Sequence, residues 1–389
     1  MKIAMLVNNL EVSGGYQKLV IRLAETLMNM KHDVVVYSPV VDKKKCYPES
    51  INNLPIVTIE NGSNKSLVVR FKELVSKIDP NTEGLIIHDE LSLIGVAALP
   101  KTNIKKIVWM LNNQLPDNLG SYKRELLPIL QTKYSSKKDK RTDVRNNALR
   151  VRLMRKGLKK VSNFAVYDHI NGDLVKKNLG RKADFVAAGA DLEQFTPLSA
   201  NRNYRHNKAY SVLSVGVLFP HRRYEDLIHA VAIARKDGSP LTATIVGRQD
   251  LSPDYYQMLV ALAKSLKVEK YIRFINYVSD SEMLNLYSKS DAFIFINDGF
   301  TWGISVFEAI AAGLPVVITS NIGAADIIKN RETGWIVNPQ KPAEVAKAIK
   351  EIVDNPQATK KIALTAQKEL SEFVSWPAYT KRMLSLLSS

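Results

Sequence analysis

Short apolar runs alternate with amphipathic segments along the whole chain. The runs that predict strands in the first half are Lys2–Val7, Asp33–Tyr37, Gly84–His88, Lys106–Met110, Phe164–Val166 and Phe185–Ala187. A second series comprises Ser211–Val215, Thr242–Val246, Ile272–Ile275, Ala292–Ile296, Val316–Ile318 and Gly334–Val337. Helix-length segments separate them, among them Gly15–Met30, Tyr224–Lys236, Pro253–Ser265 and Pro342–Val353. Because Val- and Ile-rich runs with helices between them are typical of parallel sheets, the pattern predicts two Rossmann-like, doubly wound α/β domains.

The segment Thr196–Ser211 is polar, contains a proline and has no apolar periodicity. Such a composition is typical of a linker. We therefore predict an N-terminal domain at residues 1–198 and a C-terminal domain at residues 199–374. Residues 375–389 predict a final helix that starts near Pro377.

Composition is that of a globular protein of two ordinary domains. The chain has 389 residues, of which 46% are hydrophobic and 24% charged. It contains no apolar run of 18 residues, so no transmembrane helix is expected. The first residues, MKIAMLVNN, predict a strand and not a signal peptide. The single cysteine, Cys46, fits a reducing compartment, and we expect a cytoplasmic protein.

The formal net charge of +17 indicates attraction to anionic partners. Between Lys133 and Lys160 there are twelve Lys or Arg residues and two acids. Apolar residues recur there at spacings of three and four, which predicts an amphipathic helix; they are Val144, Ala148, Val151, Met154, Leu158 and Val161. The preferred interpretation is peripheral docking on the inner face of an anionic membrane. A helix packed on its own domain is the alternative, and nucleic acid binding lacks a supporting motif.

Two glycine-containing turns follow predicted strands and point to phosphate binding. In the first half, Ser13-Gly14-Gly15 separates a strand from a helix, so backbone N–H groups can approach an anion closely. The segment is not GxGxxG, and a simple tight turn is the alternative.

The second domain opens with a strand followed by Gly216 and, a few residues later, by His221, Arg222 and Arg223. The pattern recurs as a strand, Gly247 and Arg248. Ligands bind at the carboxyl ends of strands in open α/β sheets, and guanidinium groups suit diphosphates. Solvated charges at a helix entry are the alternative.

The segment FINDGFTWGISVFEAIAAGLPVV, residues 295–317, crosses from a buried strand to a helix that begins near Gly303. Backbone N–H groups of Gly303, Ile304 and Ser305 are candidates for binding phosphate. Glu308 lies among apolar residues and is costly to bury without a partner. A ribose diol would satisfy it, and a capped backbone loop is the alternative.

The segment EAIAAGLPVV resembles the corresponding segment of retaining glycosyltransferases of family 4, a family with the GT-B fold. GGYQKLVIRLAETL, GADLEQFTP, GWIVNP and VSWPAYTKRML are also similar to segments of that family. The resemblance implies two Rossmann-like domains facing a cleft and a last helix that crosses back to the first domain. It implies a UDP- or GDP-linked sugar as donor substrate, no bound cofactor and no metal.

By position in these motifs, the resemblance implies that Glu308 holds the ribose, Arg222 neutralises the diphosphate and Gly15 approaches the donor phosphate. The candidate catalytic residues are Glu308, Arg222 and Asp298. The candidate donor-binding residues are Gly14, Gly15, Gly216, Arg223, Gly247, Arg248, Gly303, Ile304, Ser305 and Glu308.

Three positions depart from the family pattern. Phe300 replaces the acid expected eight residues before Glu308, and Asp298 is the candidate substitute. Val217 replaces an arginine, and Asn112 and Asn113 stand where a histidine is common. In the first domain, His88 and Asp89 follow a strand and are candidates for acceptor contact, with loop polarity as the alternative.

The predicted function is transfer of a hexose, with retention, to a hydroxyl of a lipid-linked or cell-envelope glycan. A non-catalytic nucleotide-sugar-binding or scaffold protein is the first alternative, because Phe300 removes a donor contact. A glycosyltransferase that modifies nucleic acid and a sugar-nucleotide epimerase are further alternatives.

Overall fold

The computed structural model describes residues 1–59, 65–111, 137–200, 202–204, 209–298 and 301–388, with backbone only for 137–147. The chain divides into two compact units. The first comprises Met1–Gly189 and Trp376–Ser389, and the second comprises Ala190–Ser375.

The first unit is built on a seven-stranded parallel sheet of order β3-β2-β1-β4-β5-β6-β7. Its strands are β1 Lys2–Leu6, β2 Asp33–Tyr37, β3 Ile56–Val57, β4 Gly84–Ile87, β5 Lys106–Leu111, β6 Asn163–Val166 and β7 Ala183–Phe185. Its helices are α1 Gly15–Asn29, α2 Pro48–Ile51, α3 Leu67–Val75, α4 Ser92–Ala98, α5 Lys137–Leu158, α6 His169–Leu179 and α13 Trp376–Ser388.

The second unit is built on a six-stranded parallel sheet of order β10-β9-β8-β11-β12-β13. Its strands are β8 Tyr210–Val215, β9 Leu241–Val246, β10 Ile272–Ile275, β11 Ala292–Phe295, β12 Val316–Thr319 and β13 Trp335–Val337. Its helices are α7 Tyr224–Lys236, α8 Pro253–Ser265, α9 Asp280–Lys289, α10 Ile304–Ala311, α11 Pro342–Asp354 and α12 Pro356–Phe373. The prediction of two Rossmann-like parallel sheets is confirmed.

Local sequence explains the ends of several helices. Ser279 and Glu282 form a capping box at the start of α9, where each side chain binds the other residue's backbone N–H. The Asp168 carboxylate caps α6, and Gly180 ends that helix at a φ of 62°. Each unit has a buried apolar core of its own, to which the strands and the inner helix faces contribute.

Two details differ from the sequence-based expectation. The strand expected at Phe185–Ala187 runs from Ala183 to Phe185 instead. Val186 and Ala187, which follow this strand, are buried, and their carbonyls accept hydrogen bonds from Arg382 of α13 at 2.6 and 3.0 Å.

The first unit ends at Gly189, whereas the predicted boundary lies at residue 198. The Ala190 N–H binds the Val374 carbonyl of the second unit at 2.9 Å, which ties the segment after Gly189 to that unit.

Candidate functional site

The glycine turns after β8 and β9 meet at the carboxyl edge of the second sheet. The two strands pair in parallel from Tyr210 opposite Leu241 to Val215 opposite Val246. A Cβ atom at Gly247 would lie 2.1 Å from the Gly216 carbonyl oxygen, so no side chain fits there. The structure therefore brings these two predicted donor-binding glycines together.

Arg222 lies under this edge and is only 4% exposed. Its Nη2 donates to the Val215 carbonyl at 3.1 Å, and its guanidinium carbon lies 3.7 Å from the Phe295 ring centre. Nε has no hydrogen-bond partner among the described residues. A Cβ atom at Gly216 would come within 2.7 Å of Nη2, so this glycine makes room for the arginine. In this conformation the cation points inward, and contact with a diphosphate requires another rotamer.

The other two predicted arginines are engaged by nearby acids. Arg223 adopts a left-handed φ of 46° and pairs with Glu225 and Asp226, each at 2.9 Å. Arg248 pairs with Asp250 on an exposed surface. The positive charges of Arg223 and Arg248 are therefore partly neutralised, which lowers the local attraction for an anion.

Glu308 lies on α10 and is half-buried. Gly303 precedes the helix at a φ of 88°, a conformation that favours glycine. One Glu308 oxygen accepts a hydrogen bond from the Tyr287 hydroxyl at 3.0 Å. Glu308, for which a ribose diol was the expected partner, thus has a partner within the protein.

Tyr287 is a functional candidate that the sequence analysis missed. It is fully buried, and its ring stacks on Phe293 with centroids 5.7 Å apart. Burial and then the charge of Glu308 raise its pKa well above the usual range, so the hydroxyl remains a donor at neutral pH. Its position in α9 resembles an ordinary core residue in the sequence, and only the fold places it beside Glu308.

Asp298 follows β11 and is exposed. Its carboxylate accepts a hydrogen bond from the Gln340 side chain at 2.8 Å, and the Gln340 backbone N–H binds Asp226 at 3.0 Å. Gln340, which the sequence analysis missed, thus joins Asp298 to the acid that holds Arg223. Phe300 lies outside the described residues, as do Asn112 and Asn113.

In the first unit, Gly14 precedes α1 in extended conformation and Gly15 begins the helix. A Cβ atom at Gly15 would meet no atom of the described residues within 4 Å.

Asp89 is engaged in internal hydrogen bonds, and His88 is buried. The Asp89 carboxylate accepts from the Asn8 N–H at 2.8 Å, the Tyr16 hydroxyl at 2.9 Å and the Ser92 hydroxyl at 2.8 Å. His88 is 1% exposed, and burial lowers its pKa to about 3. Both side chains thus have a structural role in the first unit, and contact with an acceptor stays a prediction.

Most of the basic segment forms α5. Residues 133–136 of that segment lie outside the described residues. Met154 is buried, and Val151 and Leu158 pack partly buried on the core of the first unit. For this half of the helix, the apolar face therefore packs on its own unit. The surface that it leaves exposed includes Arg152 and Lys156.

Within the described ranges, no helix is long and apolar enough to cross a membrane. The same residues contain no group of three or more His, Cys, Asp or Glu side chains arranged to hold a metal ion.

Residues 196–369 match the family model described as glycosyl transferases group 1. These residues lie within the second unit, Ala190–Ser375. Among curated relatives, glycogen synthase of Mycobacterium tuberculosis is 30% identical over 42% of this chain and 39% of its own length. D-inositol 3-phosphate glycosyltransferase of Rhodococcus erythropolis is 28% identical over 50% of this chain and 46% of its own length. The chain thus spans less than half the length of these relatives.

Among solved structures, Anabaena Alr3699/HepE in complex with UDP superposes with a TM-score of 0.75. It is 18% identical to this chain, and the match covers 100% of both chains. A structure of the same protein holds UDP-glucose. This likeness confirms the GT-B fold predicted from the sequence.

Proposed function

We propose that the chain is a retaining glycosyltransferase of family 4 that transfers a hexose from a UDP- or GDP-sugar. The acceptor is a hydroxyl of a lipid-linked or cell-envelope glycan. The observation that carries the proposal is the position of Glu308 on α10, the first helix after β11, where buried Tyr287 of α9 donates a hydrogen bond to it. Both residues lie in the segment that matches the glycosyl transferases group 1 model. The family match, the UDP complexes of the structural neighbour and this geometry all support a nucleotide-sugar donor.

Under this proposal Glu308 accepts hydrogen bonds from the ribose hydroxyls. The backbone N–H groups of Gly303, Ile304 and Ser305 receive the diphosphate at the positive end of the α10 dipole. Gly216 and Gly247 let the donor approach the backbone, as do Gly14 and Gly15 in the first unit. Arg222, with Arg223 and Arg248, supplies positive charge to the departing diphosphate.

The reaction breaks the bond between the sugar anomeric carbon and the diphosphate oxygen. The acceptor hydroxyl oxygen forms the new bond on the same face, and its proton passes to the departing diphosphate. Asp298, positioned by Gln340, contacts the donor sugar in place of the acid absent at position 300.

A thermal-shift panel with UDP, GDP, ADP and dTDP tests the donor site. One nucleotide stabilises the wild type, by about 2.7 kcal/mol at 100 times its dissociation constant. In Glu308→Gln the amide oxygen can still accept from Tyr287, but nucleotide affinity falls about 10-fold or more. Exposed Glu372 provides the control variant Glu372→Gln, which keeps wild-type affinity. Equal affinity of the wild type and Glu308→Gln contradicts the ribose role.

A non-catalytic nucleotide-sugar-binding protein is the second candidate. It is favoured by the inward-turned Arg222 and by the acids that pair with Arg223 and Arg248. Release of nucleotide from the stabilising UDP- or GDP-sugar separates the two functions. An enzyme hydrolyses this donor slowly without acceptor, whereas a binding protein leaves it intact.

The basic surface of α5, with Lys159 just after it, is proposed to dock on an anionic membrane from the cytoplasmic side. Each basic residue near such a surface contributes about 1 kcal/mol. Sedimentation with vesicles containing phosphatidylglycerol is expected to fall when Arg152, Lys156 and Lys159 are changed to serine. Serine at the exposed Lys360, Lys361 and Lys368 of α12 is the control and leaves binding unchanged. Equal loss in both triple variants contradicts the docking role.

A further inference from the structure

A groove of about 540 Å³ lies in the second unit, between the end of α7 and the segment that joins α8 to β10. Ile233, Leu266 and Val268 form apolar parts of its wall. Because α7 and α8 each run back from the carboxyl edge of the sheet, this groove lies at the amino edge. It is therefore separate from the turns at Gly216 and Gly247.

The charged lining of the groove is entirely basic. Arg235, Lys236 and Lys267 line it, and no carboxylate in the described part of the chain does. None of the three forms an ion pair with an acid anywhere in the described part of the chain. Two of them sit in the last turn of α7, where cations complement the helix dipole. Lys267 lies just after α8 at a φ of 57°, a backbone conformation at which glycine is usual and lysine is strained.

The guanidinium of Arg235 lies over the Tyr271 ring. The Arg235 guanidinium carbon lies 3.5 Å from the centre of the Tyr271 ring, and Lys270 Nζ lies 5.1 Å from the same ring. The Arg235 cation, and to a smaller extent that of Lys270, lowers the pKa of Tyr271. A stacked guanidinium loses less conformational freedom when it binds a phosphate or carboxylate through two parallel hydrogen bonds.

We propose that this groove binds a sugar that carries a phosphate or a carboxylate. The anionic group binds Arg235 and Lys267, and the apolar part of the sugar ring lies against Ile233 and Leu266. The volume lies in the range of pockets that hold small ligands. A free sugar phosphate and an acidic unit of a glycan chain share this chemistry. The site does not depend on the donor site or on transfer activity.

Calorimetric titration of the full chain with glucose 6-phosphate and with a short oligogalacturonate tests the proposal. At least one of them is expected to bind at one site per chain, and saturating UDP leaves its affinity unchanged. The variants Lys267→Gly and Arg235→Gln each weaken binding about 10-fold. Glycine suits the backbone at position 267, so loss of binding there does not reflect unfolding. Lys361→Gln, on an exposed face of α12, is the control and binds normally.

Binding of glucose 6-phosphate identifies a free sugar phosphate as the source, and binding of oligogalacturonate alone identifies a glycan chain. The proposal is overturned if neither ligand binds, or if UDP displaces the bound ligand. Unchanged affinity in Lys267→Gly also overturns it. So does binding of inorganic phosphate with equal affinity, since the sugar ring then contributes nothing.

Discussion

Arg202 joins the ends of two helices in the second unit. It donates hydrogen bonds to the carbonyls of Tyr287 and Ser290 at the end of α9, at 2.8 and 2.7 Å, and of Ala312 at the end of α10, at 2.9 Å. The last carbonyls of a helix lack partners within it and carry partial negative charge. One cation therefore satisfies both helix ends, including that of the helix that carries Glu308.

Replacement of Arg202 by methionine keeps much of its length but removes these donors. Partly buried carbonyls then lose charge-assisted hydrogen bonds, and we expect the free energy of unfolding to fall by about 3 kcal/mol. Urea unfolding measures it. Arg248→Gln removes an exposed ion pair and serves as the control, with a change of about 0.5 kcal/mol or less. Equal effects of the two changes would show that the helix ends do not depend on Arg202.

His88 makes the first unit sensitive to mild acid. Burial holds its folded pKa at about 3, below the ordinary value of 6.5. Between these values the unfolded chain binds a proton that the folded chain does not, so stability falls as pH is lowered below 6.5. The loss between pH 7.5 and 5.5 amounts to about 1.4 kcal/mol.

The variant His88→Asn lacks this titration. Its free energy of unfolding should therefore fall by about 1.4 kcal/mol less than that of the wild type between the two pH values. Urea unfolding at each pH measures the difference. Burial also raises the pKa of Asp89 and Glu90, which favours the folded state in acid. The wild type and His88→Asn both retain these two acids, so their effect cancels in the comparison. Parallel pH dependence of the two proteins would contradict the buried neutral histidine.

At the scale of elements, α4 and α5 pack unusually closely. A Cβ atom at Gly157 of α5 would lie 2.0 Å from the Leu93 carbonyl oxygen and 3.2 Å from the Ala97 nitrogen, both on α4. Because these are backbone atoms, a side chain at position 157 can be accommodated only if the helices separate. The packing of α5 on the first unit thus depends on this glycine.

The variant Gly157→Ala should lower the free energy of unfolding by about 2 kcal/mol, since overpacking outweighs the better helix propensity of alanine. Gly172→Ala in α6 is the matched control. Its nearest neighbour would lie 3.9 Å away, so alanine should stabilise by about 0.5–1 kcal/mol. Urea unfolding distinguishes the two signs, and stabilisation by both changes would contradict the close helix contact.

The regular elements were predictable because their signals are local. The runs of β8 and β9, and the helix that follows Gly303, have a clear period and defined ends, and the structure places them within a residue or two. The two-residue strand β3 was missed because Ile56–Val57 is too short to establish a period. Pairing across the fold was not predictable: Tyr287 and Glu308 are 21 residues apart in the chain.

The candidate site was predictable in position and less so in conformation. The positions of Gly216 and Gly247 follow from the rule that ligands bind at the carboxyl ends of parallel strands. Glu308 was selected instead because it lies among apolar residues and matches the family motif. The inward rotamer of Arg222 depends on Phe295, a strand residue far along the chain, and the sequence pattern carries no signal for that contact.

At the scale of the whole molecule, the chain returns to its first unit at its end. Trp376 is 5% exposed and begins α13 directly after the second unit ends at Ser375. It packs on Gly189, where a Cβ atom would lie 2.4 Å from the indole ring. Asn163 of β6 donates to the Leu386 carbonyl at 2.7 Å, so α13 is held along its length. The stability of the first unit therefore depends on residues that follow the second in sequence.

Replacement of Trp376 by alanine should cost the first unit about 3–5 kcal/mol. Hydrogen exchange followed by mass spectrometry locates the effect. Amides of α1 and β5, which α13 contacts, should exchange faster. Amides of β8 and β9 should keep their protection, although residue 376 adjoins the second unit in sequence.

Trp335→Ala provides the reciprocal control, because Trp335 is buried in the second unit. It should expose β12 and leave β5 protected. Faster exchange throughout both units in either variant would mean that the two units unfold together, and that α13 does not stabilise the first unit alone.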